Sequence, residues 1–162
     1  MEEIRKFHTV RGYQLLEQNK KLLTSSMEDY LEMIYRNCLK DGYMRINVLS
    51  ELLNVKPSST TKMVQKLTEI GLLDYKKYGI IFLTENGREI GKFLLARHQI
   101  LETFLKNLGV EESILLETEL IEHNITANTL QKIDLLNKFI ESEPGVAENF
   151  EAFKAQYKGY FI

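Results

Sequence analysis

Residues 72–83, LLDYKKYGIIFL, read as two short β-strands around Lys77-Tyr78-Gly79, and they follow directly on two short helical patterns. The first pattern, at about 46 to 53, places Ile46, Leu49, Leu52 and Leu53 at helical spacing. The break Asn54-Val55-Lys56-Pro57 comes next, and then a second pattern at about 58 to 70 carries Met63, Val64, Leu67 and Ile70. Pro57 suits the first position of a helix, where its missing N–H would find no intrahelical partner. Two helices joined by a tight break and followed by a hairpin form a winged helix-turn-helix, whose second helix enters the major groove of DNA.

Upstream, Met27, Tyr30, Leu31, Ile34, Tyr35 and Cys38 mark a helix at about 26 to 40, with Ser25 and Ser26 as cap candidates and Asp41-Gly42 as its stop. Downstream, Thr84 caps a long helix that keeps Ile90, Leu94, Leu101, Phe104, Leu105 and Leu108 on one side and ends at Gly109. Its length, about twice the mean for globular helices, suits a connector between domains. Three further helices are expected at about 111 to 123, 126 to 141 and 146 to 157. Ile4, Phe7, Val10, Leu15 and Leu16 outline an additional amphipathic helix before Ser25, interrupted by Gly12. An isolated helix of that length is marginal in water, so it is expected to dock on the chain's own helices or on a partner subunit.

The 162 residues, 44% of them hydrophobic with 8 Phe and 8 Tyr, are enough for a real core. No apolar run approaches the roughly 20 residues of a membrane span and no signal-type segment opens the chain, so a cytoplasmic protein without membrane contact is expected. The single cysteine, Cys38, cannot form an internal disulfide and falls on an apolar stripe, as a buried structural thiol does. Charge is unevenly spread. From Lys56 to Lys92 seven basic residues face four acidic ones, whereas Glu111 to Asn124 holds five glutamates and neither Lys nor Arg. The first stretch favours a polyanion and the second favours cations, although charge runs are also ordinary solvated faces.

On the second short helix, begun by Pro57 as part of the expected DNA-binding surface, Ser58, Ser59, Thr60 and Thr61 supply small hydroxyl donors in the first turn that let a helix N-terminus approach phosphates and base edges. Lys62 and Lys66 stand one turn on, Gln65 is placed to read a base edge, and Lys76, Lys77 and Tyr78 at the wing tip would meet the flanking backbone. A plain cap with solubilising lysines would look similar, but the hairpin and basic wing arrive at the right offset.

Glu119, Glu122 and His123 stack on one helix face and continue the stripe begun by Leu115 and Leu116, so charged groups occupy a phase that should bury apolar surface. Charges there need partners. Asp29 and Glu32 lie i, i+3 on the first confident helix, and His98 lies midway along the connector. Four carboxylates and two imidazoles without sulfur suit Mn2+ or Fe2+ better than a thiolate-preferring metal. Singly, each residue has an ordinary reading: Asp29 in a capping box with Ser26, Glu32 or Glu119 exposed, His98 or His123 a partly buried imidazole.

Across about 25 to 142 the chain resembles the manganese transport regulator branch of the diphtheria-toxin-repressor family of metal-dependent transcriptional repressors, through SMEDYLEMIY, VKPSSTTKMVQKL, FLTENGREIGKFLLARHQILETFL and ETELIEHN. The resemblance implies that Asp29, Glu32, His98, Glu119, Glu122 and His123 form a two-metal site between a DNA-binding and a dimerisation domain. It also implies manganese, because the iron-sensing branch is expected to place sulfur ligands where Asp29 and Glu119 stand. Against the family pattern, the chain has Asn124 where relatives can show a second His, and it is expected to carry an N-terminal extension of about two dozen residues and to lack the SH3-like third domain of the iron regulators.

The expected architecture is therefore mainly α with a small β-hairpin: an N-terminal extension at 1–24, a winged helix-turn-helix at 25–83, a connector helix at 84–108 and an all-helical metal-binding and dimerisation domain at 109–162. The expected function is a homodimeric repressor activated by two Mn2+ per subunit, with Fe2+, Co2+, Zn2+ or Cd2+ as substitutes, acting on a palindromic double-stranded operator of metal-uptake genes. It is not expected to be an enzyme or to take a small organic substrate. The competing readings are an iron-responsive repressor of the same family, a winged-helix sensor of an organic ligand, and a di-metal carboxylate oxidoreductase. The last would want two Glu-x-x-His pairs on facing helices, and the sequence supplies none.

Overall fold

The computed structural model describes residues 10–157 and 159. Ile4 and Phe7, expected in the N-terminal helix, lie outside the described residues. The chain divides into two compact units, Met1–Ala96 and Arg97–Ile162.

Among the described residues the first unit begins with α1 (Val10–Gln18), so the segment before Ser25 is helical in part. It continues with α2 (Ser25–Asp41), which buries Met27, Tyr30, Leu31, Ile34, Tyr35 and Cys38 at the spacing of one helical face. Neither Ser25 nor Ser26 caps it. Thr24 does, because its backbone is extended while both serines are already inside the first turn, and its Oγ1 accepts from the Met27 N–H at 3.3 Å. Gly42 ends α2 with φ 77° and donates its N–H to the Cys38 carbonyl.

After α2 comes a short strand that the sequence reading did not anticipate, β1 (Met44–Arg45). Then follow α3 (Ile46–Leu52), α4 (Pro57–Glu69) with Pro57 in its first turn, β2 (Leu73–Lys76) and β3 (Ile80–Leu83). The sheet is antiparallel in the order β1-β3-β2, with Met44 opposite Ile81 and Leu73 opposite Leu83. Leu31, Ile34, Leu49, Val64, Leu67 and Ile81 are fully buried, so α2, α3, α4 and the sheet share one core. Burial of such side chains contributes about 1.5–3 kcal/mol each, an upper estimate before entropy is counted.

Thr84 then starts α5 (Glu85–Leu108), its Oγ1 accepting from the Gly87 N–H at 3.0 Å, and the helix runs on into the second unit. That unit adds α6 (Ile114–Glu122), α7 (Ala127–Ser142) and α8 (Pro144–Ala155). Leu101, Leu105 and Leu130 form its core. A buried amide, Asn137, ties α7 to α5 by donating to the Ile100 carbonyl at 2.9 Å and accepting from Asn107 at 3.1 Å. Among the described residues, no helix is long and apolar enough to cross a membrane.

Candidate metal centre and nucleic-acid interface

In the second unit α6 turns a polar face inward. Thr118 is fully buried, with its hydroxyl donating to the Ile114 carbonyl at 2.8 Å, and Glu122, one turn on, is 2% exposed. The Glu122 carboxylate lies between two imidazoles: Oε2 is 3.1 Å from Nδ1 of His98, and Oε1 is 3.7 Å from Nε2 of His123. Burying a lone carboxylate would cost several kcal/mol, on the order of the desolvation penalty of an ion. Imidazole nitrogens beside both oxygens of one buried carboxylate are donors that a divalent cation of borderline hardness accepts. The donor set therefore fits a metal.

The stripe expected through Leu115, Leu116 and Glu119 is not the inner face. Leu115, Leu116, Leu120 and Glu119 are all exposed, because the helix is rotated to put Thr118 and Glu122 inside. The reason is pairing: Glu122 meets His98 on α5, so its burial is offset, and the leucines are left on the outer surface.

In the first unit Asp29 and Glu32 sit one turn apart on α2. Asp29 is exposed, and because Thr24 is the cap, a capping box between Ser26 and Asp29 does not form. Glu32 is buried and takes Nε and Nη2 of Arg36 on its Oε1 at 3.0 and 2.5 Å. Arg36 escaped the sequence reading, although the i, i+4 spacing from Glu32 was a visible signal.

The start of α4 presents Pro57, Ser58, Ser59, Lys62, Gln65 and Lys66 to solvent, with Thr61 half-buried. Thr60 departs from this set. It is fully buried, 2.9 Å from the Ser50 hydroxyl and 3.3 Å from the Lys56 carbonyl, so it joins α3 to α4 and is withdrawn from any groove. Ser50, itself buried, is the partner that sequence reasoning missed. At the wing tip Lys76 and Lys77 are exposed, Lys76 pairing with Asp74 at 2.7 Å. Tyr78 between the strands is 91% exposed and holds φ 65°, an uncommon conformation for a non-glycine residue.

Two family profiles match the chain. The first, iron dependent repressor, N-terminal DNA binding domain, covers residues 22–81; the second, iron dependent repressor, metal binding and dimerisation domain, covers residues 84–151. The chain is 44% identical over 135 residues to the HTH-type transcriptional regulator MntR of Lysinibacillus sphaericus, covering 83% of this chain and 97% of that one. It is 48% identical over 122 residues to the MntR of Geobacillus kaustophilus, covering 74% and 86% respectively. Among solved structures it is similar to the manganese regulator SloR, with TM-score 0.61 and 27% identity over 72% of this chain and 54% of that one. The chain thus spans about half the length of that regulator.

Proposed function

The chain belongs to the iron-dependent repressor family of metal-dependent DNA-binding transcriptional regulators, and from that premise we propose that it is a cytoplasmic, manganese-activated repressor of metal-uptake genes. The relatives are transcriptional regulators, which sets the oxidoreductase reading aside. The observation that carries the proposal is the buried Glu122 carboxylate with His98 and His123 against it, in the stretch matched by the metal-binding profile.

Asp29, Glu32, His98, Glu119, Glu122 and His123 would hold the metal, at two ions per subunit. The absence of sulfur from this set supports Mn2+ over a thiolate-preferring ion, with Fe2+, Co2+, Zn2+ or Cd2+ as substitutes, and the likeness to SloR, a manganese regulator, points the same way. When bound, the ions would supply positive charge that neutralises the carboxylates and links the segments carrying them. The chain's own residues do the rest. His98 and His123 set imidazole nitrogens beside Glu122, and Arg36 holds Glu32 in one orientation until a cation competes for it.

For DNA, Ser58, Ser59, Thr61, Lys62, Gln65 and Lys66 would face the major groove and Lys76, Lys77 and Tyr78 the flanking backbone. A second copy would cover the α6 leucines, and the homodimer would set two recognition helices about 34–36 Å apart on a palindromic operator. Metal acts only through its preference for the DNA-competent arrangement, each tenfold of preference being worth about 1.4 kcal/mol. The test is Mn2+-dependent affinity for a palindromic operator, with isothermal titration counting ions per subunit; one ion, or none, would break the ligand assignment.

A further inference from the structure

α1 precedes both stretches matched by the family profiles, the first of which begins at residue 22, yet it is seated on α5 by close contacts. A Cβ on Gly12 would overlap the Glu89 carbonyl oxygen and come 2.8 Å from the Phe93 Cβ, so the helices meet nearly backbone to backbone and only glycine fits. Beside that point, Arg11 Nη2 is 3.2 Å from Glu85 Oε1, the Tyr13 ring is 5.6 Å from the Phe93 ring, and Leu16 is buried. Glu85, Glu89 and Phe93 are spaced i, i+4, i+8, so α1 follows one face of α5 for two turns. The same stretch of α5 is seated elsewhere too: Gly87 abuts the Leu72 carbonyl and Gly91 abuts the Tyr35 side chain.

His98 lies five residues beyond Phe93 on this helix. We propose that α1 is a strap that holds the first half of α5 in order and thereby lowers the metal concentration at which the protein binds DNA. The inference rests on the metal-activated reading. A segment that is already ordered loses no further conformational freedom when metal fixes it, whereas a loosened one must pay that entropy at binding, which raises the midpoint. The nine described residues of α1 are too few for a helix to persist alone in water, so this segment holds its helix by docking.

The test uses the full chain with Gly12→Leu, which should undock α1, and Tyr13→Ala, which should only weaken it. Two quantities are read: amide exchange over residues 85–96 without metal, and the Mn2+ midpoint for binding a palindromic operator. Faster exchange in both variants, with a midpoint raised about fivefold or more in Gly12→Leu and by less in Tyr13→Ala, is expected, a typical size for such coupling. Affinity at saturating Mn2+ should be unchanged. Faster exchange or a lower Tm with an unmoved midpoint would show that α1 only stabilises the unit, and the strap would be wrong. Should Gly12→Leu not fold, Tyr13→Ala decides by the same two readings. If the intact chain itself ignores Mn2+, the metal-activated reading falls first and the strap with it.

Discussion

Nδ1 of His98 and Oε2 of Glu122 stand 3.1 Å apart, so α5 and the end of α6 meet through polar atoms and not through leucines. That choice leaves Leu115, Leu116 and Leu120 exposed on the outer surface of α6, the apolar area that the proposed homodimer would cover.

Glu122→Gln keeps the shape of the side chain and removes its charge. We expect the Mn2+ midpoint for operator binding to rise by about 10- to 100-fold or more, since even groups behind the ligands are worth that much. Circular dichroism without metal should show the fold intact. An unchanged midpoint would exclude Glu122 as a ligand.

Asp29→Met should blunt the response to Mn2+ more than it lowers metal-free stability, because Asp29 is exposed and its replacement opens no cavity in the core. A thioether is a poor partner for a hard cation. Equal Mn2+ responses in variant and parent would remove Asp29 from the site.

On α4 three variants should separate three roles. Lys62→Ala should lower affinity for every DNA sequence and flatten the log–log salt dependence by about one unit, whereas Gln65→Ala should reorder preference among operator variants. Thr60→Val should cost about 1 kcal/mol of stability by breaking the hydroxyl contact with Ser50, and leave the salt slope alone. A shallower slope in Thr60→Val would mean that Thr60 reaches phosphate after all.

Periodicity made most of this fold legible, and the exceptions share a cause. The runs through Met27 and Cys38, the break at Pro57 and the cap at Thr84 are local signals, and the structure has α2, α4 and α5 there. β1 has two residues and therefore no period to read; it exists because Met44 and Arg45 pair with Ile81 and Ile80 from a distant strand. The rotation of α6 was set by His98, 24 residues away, and the burial of Thr60 by Ser50 on another helix. In the same way the residue types of the candidate metal site were visible at helical spacing, but Arg36 as the present holder of Glu32 is a matter of rotamer.

Cys38 gives a pH test. Burial pushes its thiol pKa up, with the Arg88 charge pulling partly the other way. In the unfolded chain the thiol ionises near about pH 8.5, while the folded chain holds the proton to higher pH. Stability should thus be full below that value and fall as pH rises through the window between the two. Urea unfolding from about pH 7.5 to 9.5 should show a steeper loss for the parent than for Cys38→Ala. Parallel curves would contradict a buried, protonated thiol.

On the proposed reading, metal switches this protein onto DNA. The direct measurement is operator affinity at fixed salt, first with chelator and then across a Mn2+ titration, with the mass of the complex determined at saturation. We predict weak, sequence-independent binding under chelator and a dimer bound tightly to a palindromic operator with Mn2+. The same tight affinity in chelator as in saturating Mn2+ would contradict it.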